Sequence, residues 1–516
     1  MGLEIVRRIR GNINSSIDVT ALEDAVIAHP YVQRLRRIKQ LAFLHYVFPG
    51  ATHSRFEHSL GVMQLAGLAW DKLKTNQERL STSLRRFPEF ARLEKTGATG
   101  KRRHGLLAPT FPLLQQVFGS DYNLQLIRLA GLMHDLGHPP FSHSGELFLP
   151  SWSDVLEANQ DAADYIIDYL KQNIERVKSS GRDPREVRVR HEVYSLLLAD
   201  RVLRDVQESH PDLSPQIDPR DLASVIIPEI KPHVNSPILV YGVNRLLNEL
   251  ISGELDIDRM DYLQRDSHEC GVVYGIFDHS RIMDSLLVYF DEADSGLHVA
   301  INFSGLAAFE DYLRARFSMY LQVYFHKTAV AAEAMMQHLG RKLGNFRYQA
   351  ARENYAELDE ISIGPVLREA GKKKLGDGIE FAEYNRVVRD LLMDRRLWKR
   401  VFEEAGRGDS KVSDARVNKA RKIIEGMGAD YELISTANSL TRFHPRKEDE
   451  DSRNYLRLVK KGPRQFPTVT PIEDHLSVVH ENERSYIHRL YVANQKDFDG
   501  KLIGDAVKQK IFEQLK

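Results

Sequence analysis

The run from His134 to Glu146 holds three histidines, an aspartate and a glutamate directly behind a largely apolar stretch, residues 124–132. Side chains of these types ligate metals or move protons. On a helix, His134 and His138 would lie one turn apart on one face, with Asp135 beside His134. Gly137 and the Pro139-Pro140 pair then predict the end of regular helix and a reversal of the chain. Imidazoles and carboxylates placed behind a buried-type run are costly unless something binds them, and a metal is the usual binder.

Other elements would have to deliver the rest of a site. His58 opens the apolar face of a helix that continues through Val62, Leu65, Ala66, Leu68 and Ala69, so it faces inward. His191-Glu192 stands ahead of Val193, Leu196, Leu197 and Leu198 on another helix. Asp258, Asp261 and Tyr262 share one helix face, with Asp266 a turn beyond. Like charges so arranged repel, which predicts a cationic partner. Arg316, Tyr320, Tyr324 and Lys327, spaced four, four and three, predict a single basic and aromatic stripe. One inward histidine or one aromatic stripe is ordinary core. Four separated elements that each direct ligand-type groups inward are not.

Composition narrows the class. The 516 residues leave room for about two or three domains. A hydrophobic fraction of 42% and a charged fraction of 28% are those of an ordinary soluble protein. The net charge of zero gives no electrostatic case for a membrane, and nucleic acid is not indicated. A single cysteine, Cys270, excludes an internal disulfide and a Cys-rich zinc site. No apolar run approaches the roughly 20 residues of a membrane span. Met1–Arg8 lacks the apolar core of a signal peptide, so a cytoplasmic protein is expected.

Apolar spacing predicts helices from about Thr20, over Tyr31–Leu44, over Asp161–Val177, from Pro219, and from Gly242 to Ile251. Residues 79–105, rich in Arg and Lys and diluted by Gly97, Gly100 and Gly105, read as a basic insertion. Leu286–Phe303 predicts a hairpin turning at 293–296. Residues 354–404 read as charged helix and Gly406–Asp414 as a linker. Strands are expected near Tyr431–Thr436, Tyr455–Leu458 and His488–Val492, with a closing helix at Leu502–Leu515.

A first His, a His-Asp dyad ending an apolar helix and a distant Asp together resemble the signature of the HD-domain metal-dependent phosphohydrolases. The flanks Gln33–Leu41, Val47–Ala51, Arg55–Val62 and His134–His143 resemble, more narrowly, the deoxynucleoside triphosphate triphosphohydrolases (dNTPases) over about residues 1–340. With the element pattern, the resemblance implies a mainly α fold. An HD-domain helical core with a short hairpin would span 1–340, a helical extension and linker 341–414, and a smaller α+β domain 415–516. It implies His58, His134, Asp135 and Asp258 as ligands of a divalent ion (Fe, Mn, Mg or Zn), which suits two imidazoles and two carboxylates. His138, His143, Glu146 and His191 would form the catalytic group. In it His143, oriented by Glu146, would protonate the leaving 5′-oxygen, and His138 and His191 would line the phosphate channel.

By the same resemblance Arg55, Arg259 and Arg316 match phosphate contacts, and Gln40, Leu41, Tyr262, Asp266 and Tyr324 match a sugar pocket. Tyr320 joins them on the stripe, and Tyr262 and Tyr324 would exclude a 2′-hydroxyl. The implied activity, dGTPase-like, releases intact triphosphate from a dNTP, in a homo-oligomer (tetramer or dimer) with a regulatory nucleotide as a further partner. Gln33, Arg36, Val47, Phe48 and His326 match regulatory positions. Ala28 stands where the vertebrate members carry an Asp, and Asn302, Ser304 and Ala308 fall where they carry basic residues. The competing readings are an HD phosphohydrolase acting on a nucleoside monophosphate or nucleic-acid end, and a nucleotide-sensing binding protein.

Overall fold

The computed structural model describes residues 3–13, 16–87, 111–291, 294–407, 411–438, 456–461, 467–479, 485–493 and 503–515. The fold is mainly α, a helical core with a hairpin and a smaller α+β region toward the C-terminal end. The chain opens with an antiparallel hairpin, β1 (Ile5–Arg10) and β2 (Ser16–Thr20), where irregular chain was expected. The arginines of β1 lie on an exposed strand, so no alternating apolar pattern announces it. Thr20 then caps α1 (Ala21–Ala28) in a capping box with Glu23.

Tyr31–Leu44 is not one helix. A helical turn (Pro30–Gln33) and a 3-10 turn (Arg34–Arg37) are followed by extended backbone at Ile38 and a bridge from Lys39 to Ser54. The spacing of the apolar residues is met by these short turns, which pack Val32, Leu35 and Ile38 into the core. Ser54 and Glu57 form the capping box that starts the long helix α2 (Arg55–Leu84). Arg79, expected in the basic insertion, lies within α2; residues 88–105 of that insertion lie outside the described residues.

Helix α3 (Asp121–Met133) starts at Ser120, whose Oγ accepts from Asn123 N at 3.2 Å, and is buried from Gln125 to Met133. It ends a turn earlier than the His134/His138 spacing predicts, with His134 as its C-cap. Pro139 and Pro140 carry no N–H with which to continue the helical ladder. The chain proceeds through turns into a 3-10 segment, Ser142–Phe148.

Helices α4 (His191–Ser209), α5 (Val243–Ser252) and α6 (Ile257–Cys270) complete the frame, α6 capped by Asp256 and ended at left-handed Gly271. The expected stripe is broken. Arg316 closes α7 (Leu306–Met319), Tyr320–Tyr324 form a π-helical turn, and Lys327 starts a separate helix, α8 (Lys327–Leu343).

The expected hairpin is β3 (Leu286–Asp291) and β4 (Gly296–Asn302). Residues 399–404, read as helix, lie in strand β5 (Lys399–Arg407), and the expected linker is partly that strand and partly a helix, Lys411–Gly426. The remaining strands are β6 (Tyr431–Asn438), β7 (Arg457–Lys460), β8 (Thr468–Pro471) and β9 (Ser485–Val492). They are shared between two sheets: β7 pairs in parallel with β4 in the order β3-β4-β7-β8, and β9 lies between β5 and β6. Arg489 and Tyr491 of β9 donate to the carbonyls of Phe325 and Lys327, which fixes the turn between the tyrosine segment and α8.

The crossing of α2 and α6 admits no side chain at Gly61, because a methyl group there would overlap the Asp261 carboxylate and the Arg265 guanidinium. Gly61→Ala is therefore expected to destabilise the fold by about 1–3 kcal/mol, read as a lowered denaturant midpoint at unchanged slope.

Candidate functional site

His58 comes from the first turn of α2, His134 and Asp135 from the end of α3, and Asp258 from the first turn of α6. Asp258 Oδ1 lies 3.0 Å from His58 Nε2 and 3.5 Å from His134 Nε2. Asp135 reaches His134 Nε2 at 3.4 Å and His58 Nε2 at 3.6 Å. Both Nε2 atoms are buried without an aligned hydrogen-bond partner. Their rings are fixed from the other side: His58 Nδ1–H donates to Asp261 Oδ2 and His134 Nδ1–H to Gly131 O, each at 2.9 Å. With Nδ1 so committed, losing the Nε2 proton would leave lone pairs facing carboxylate oxygens, an arrangement that a cation in the proton's place relieves. His58, His134 and Asp135 lie close enough to share a divalent metal, and Asp258 sets a second carboxylate beside both imidazoles.

Electrostatics agree with the geometry. Burial alone would depress His58, but the Asp258 and Asp261 carboxylates override it and push it up to about 10. His134 is likewise raised by Asp135 and Asp258 against its burial. Burial opposes the ionised form of Asp135 also, yet His134, Arg55 and His58 hold it below the usual carboxylate range. Asp261 is buried, and Arg265 Nε and Nη2 each donate to it at 2.8 Å.

A second constellation abuts the first through His138, whose Nε2 lies 3.5 Å from Asp135 Oδ1. Glu146 Oε1 accepts from both His143 Nδ1–H and His191 Nδ1–H at 2.8 Å. Burial would raise Glu146, but these two bonds outweigh it and bring it down to about 2. The His138 and His191 rings stack at 3.6 Å. Burial and the neighbouring Arg55 push His138 well down, so it is neutral near pH 7. Between His138 and His143, Phe141 and Ser142 both adopt left-handed backbone, a strained pair of non-glycine residues. Ser142 Oγ accepts from Arg55 Nε at 2.9 Å and donates to Lys39 O at 2.8 Å, and Phe141 stacks on Phe43.

The other expected contacts divide. Arg55 pairs with Asp135, and Arg316 is buried with Nη1 unpartnered. Arg259 instead turns to its own helix start, giving Nη1 to Gly253 O at 2.6 Å and to Asp256 at 3.0 Å. Tyr324 donates to Asp266 Oδ2 at 2.7 Å, with the Tyr320 ring 5.0 Å and the Tyr262 ring 6.3 Å away. Gln40 carries a buried, unpartnered Oε1 and bonds His53 O through its backbone, while Leu41 packs against the core. Asp261 and Asp266 lie on the face the sequence indicated, but each has its own partner inside the protein.

Two supporting roles were not anticipated. Asp261 orients His58, and the signal was its position three residues after Asp258. His53, whose Nε2 meets Asp266 Oδ1 at 2.8 Å, had only its place in the His53–His58 run.

Comparison with known proteins bears on this geometry. The HD domain family matches residues 106–266 and the HD associated region residues 277–437. The uncharacterized protein YwfO of Bacillus subtilis is 29% identical over 349 residues, 64% of this chain and 58% of that protein. The deoxynucleoside triphosphate triphosphohydrolase SAMHD1 of Gallus gallus is 26% identical over 359 residues, 66% of this chain and 46% of its own. The solved structure of a phosphohydrolase from Bacteroides thetaiotaomicron superposes at a TM-score of 0.56 with 22% identity, covering 94% of this chain and 99% of that one. The chain carries an HD domain and is related to the HD-domain dNTPases. It spans about half the length of the curated relatives it matches. No helix among the described residues is long and apolar enough to cross a membrane.

Because the fold raises His58 from 6.5 to about 10, an entering cation competes with a proton across that window. Metal uptake at pH 7.5 is expected to release protons, and affinity to climb with pH up to about 10. Titration calorimetry in buffers of different ionisation enthalpy measures the release; an uptake independent of buffer and pH would contradict the arrangement.

Proposed function

We propose that this protein hydrolyses deoxynucleoside triphosphates to deoxynucleoside and inorganic triphosphate, in the cytoplasm and as a homo-oligomer, a tetramer or dimer. The observation that carries this reading is the contact of two constellations across Asp135 and His138; both are clusters of ligand-type groups, and we assign the first to the cation and the second to proton transfer. The relatives named as dNTPases support it. His58, His134, Asp135 and Asp258 would hold the ion, of Fe, Mn, Mg or Zn type, which polarises a phosphoryl oxygen and lowers the pKa of water. Arg55 and Arg316 offer charge-assisted donors to phosphate oxygens.

Water adds to the α-phosphorus as the bond to the 5′-oxygen breaks. His143 enters the step doubly protonated, its Nδ1–H held by Glu146; its Nε2 proton passes to the 5′-oxygen, and the proton shed by the attacking water restores it. Neutral His138 and Glu146-bound His191 line the path of the phosphates. The sugar lies against Tyr324 and Asp266, with Gln40, Leu41, Tyr262 and Tyr320 around it. The exclusion of a 2′-hydroxyl is assigned to Tyr262 and Tyr324. We assign Arg259 to the phosphates only after its bonds to Gly253 and Asp256 are exchanged. The regulatory nucleotide is assigned to a cavity of about 690 Å3 whose lining holds Gln33, Arg36 and Arg10 together with Arg7, Arg265, Asp24 and Glu57, Arg7 pairing with Asp24 and Arg265 with Asp261.

Purified protein with each of the four dNTPs and Mn or Mg is expected to release intact triphosphate. Orthophosphate alone, or cleavage of nucleic-acid ends alone, would transfer the site to another phosphoester. No turnover with retained nucleotide binding would make it a sensor. His143→Ala is expected to lower kcat by about 10²–10⁴ with metal content unchanged, measured by triphosphate release and metal analysis.

A further inference from the structure

The chain leaves α3 at Met133 into an irregular loop, residues 134–142. In it Asp135 O, Pro139 O and Phe141 O accept from the amides of His138, Ser142 and Ser144, whereas among the described residues no backbone amide reaches the carbonyls of Leu136, Gly137 and His138. Pro139 and Pro140 supply no N–H, and Phe141 and Ser142 are left-handed. Donors for three consecutive carbonyls arrive from far away in sequence. Arg34 Nη1 donates to Leu136 O at 3.1 Å and Nη2 to His138 O at 2.9 Å, while Tyr355 Oη donates to Gly137 O at 2.6 Å. Arg34 Nε bonds Leu358 O at 2.7 Å, and its guanidinium lies 5.3 Å from the Tyr355 ring centre. Tyr355 in turn stacks on Tyr194 of α4 at 3.6 Å.

Both residues are fully buried. Among the described residues no carboxylate lies within ion-pair distance of Arg34; Asp359 acts on it only at longer range, and its hydrogen bonds go to three backbone oxygens. A guanidinium buried with no carboxylate in direct contact is an expensive way to hold a loop and a poor general stabiliser. The opposite face of the loop is closed as well. Gly137 N donates to Ser195 Oγ at 2.9 Å, and a methyl group on Gly137 would overlap the backbone of His191 and Ser195.

We infer that Arg34 and Tyr355 are positioning residues that clamp the carbonyls of Leu136, Gly137 and His138 and thereby set His138 and His143 relative to Asp135. On this inference the segment around Tyr355, within the HD-associated region, is part of the catalytic centre. The inference rests on the function proposed above for its kinetic arm but not for its structural one.

Tyr355→Phe keeps the stacked ring and removes only the donor. It is expected to lower kcat at least tenfold with KM within twofold and metal content unchanged. Backbone hydrogen exchange is expected to quicken in the peptide 134–143 and nowhere else. Arg34→Lys, which keeps the charge but cannot fork to two carbonyls, is expected to match that loss rather than restore activity. Wild-type kcat and wild-type exchange in folded Tyr355→Phe would overturn the inference, as would a kcat loss that tracks loss of metal. Should Arg34→Lys fail to fold, Tyr355→Phe decides alone. If the wild-type protein turns over no nucleotide, the proposed function fails, and the exchange of the 134–143 amides still decides the clamp.

Discussion

Four imidazoles of the site are each tethered through Nδ1: His58 to Asp261, His134 to the carbonyl of Gly131, and His143 and His191 to one oxygen of Glu146. An Nδ1–H held by an acceptor fixes both the tautomer and the plane of the ring and leaves Nε2 as the working atom. The rest of the structure depends on this constraint, because each acceptor must itself be immobile. Gly131 O is fixed by belonging to α3, and Asp261 by two donors from Arg265. Glu146 sits in a 3-10 segment that opens on two strained residues, Phe141 as its cap and Ser142 as its first residue.

The consequence is a close crossing of α2 and α6. Asp261 reaches His58 only if α6 approaches α2 at Gly61, and a buried carboxylate there is tolerable only with Arg265 beside it. Such a pair contributes little net stability, since desolvation offsets most of the attraction. Its effect is geometric: it makes one imidazole orientation compatible with the fold. Buried Glu23 does the same for α1, where Arg128 and Gln125 reach it from α3.

The ligand-type residues could be read from the chain because chemistry restricts them to few residue types placed at the ends of apolar helices. His58, His134, Asp135 and Asp258 are each at such an end, and the structure gathers them. The helices with clear apolar spacing, and the hairpin at β3–β4, were legible for the same reason. What escaped depended on long-range partners. Nothing local in Arg34 says that it will meet Leu136 and His138, and nothing in β7 says that it will pair in parallel with β4. Hydrogen bonds from side chain to backbone carbonyl carry no residue-type signature on the accepting side, so Tyr355 and Gly137 were invisible as a pair. The break of Tyr31–Leu44 and of the 316–327 stripe has the same origin, since spacing reports burial and not continuity of helix.

The two halves of the site differ in a way that suits their proposed tasks. His58 is 1% exposed and set in the first turn of a thirty-residue helix, whereas the His143 side chain is 76% exposed on a short 3-10 segment. A cation requires donor atoms at fixed spacing, so its ligands belong on rigid helix ends where tenths of an ångström are defended by packing. A proton donor to a leaving oxygen must instead meet a group carried by the substrate, at the open side of the pocket. On the proposed roles, placing it on the loop that follows Asp135 would link the two through the backbone. A displacement of residues 136–142 would then move His143 relative to His58, Asp135 and Asp258.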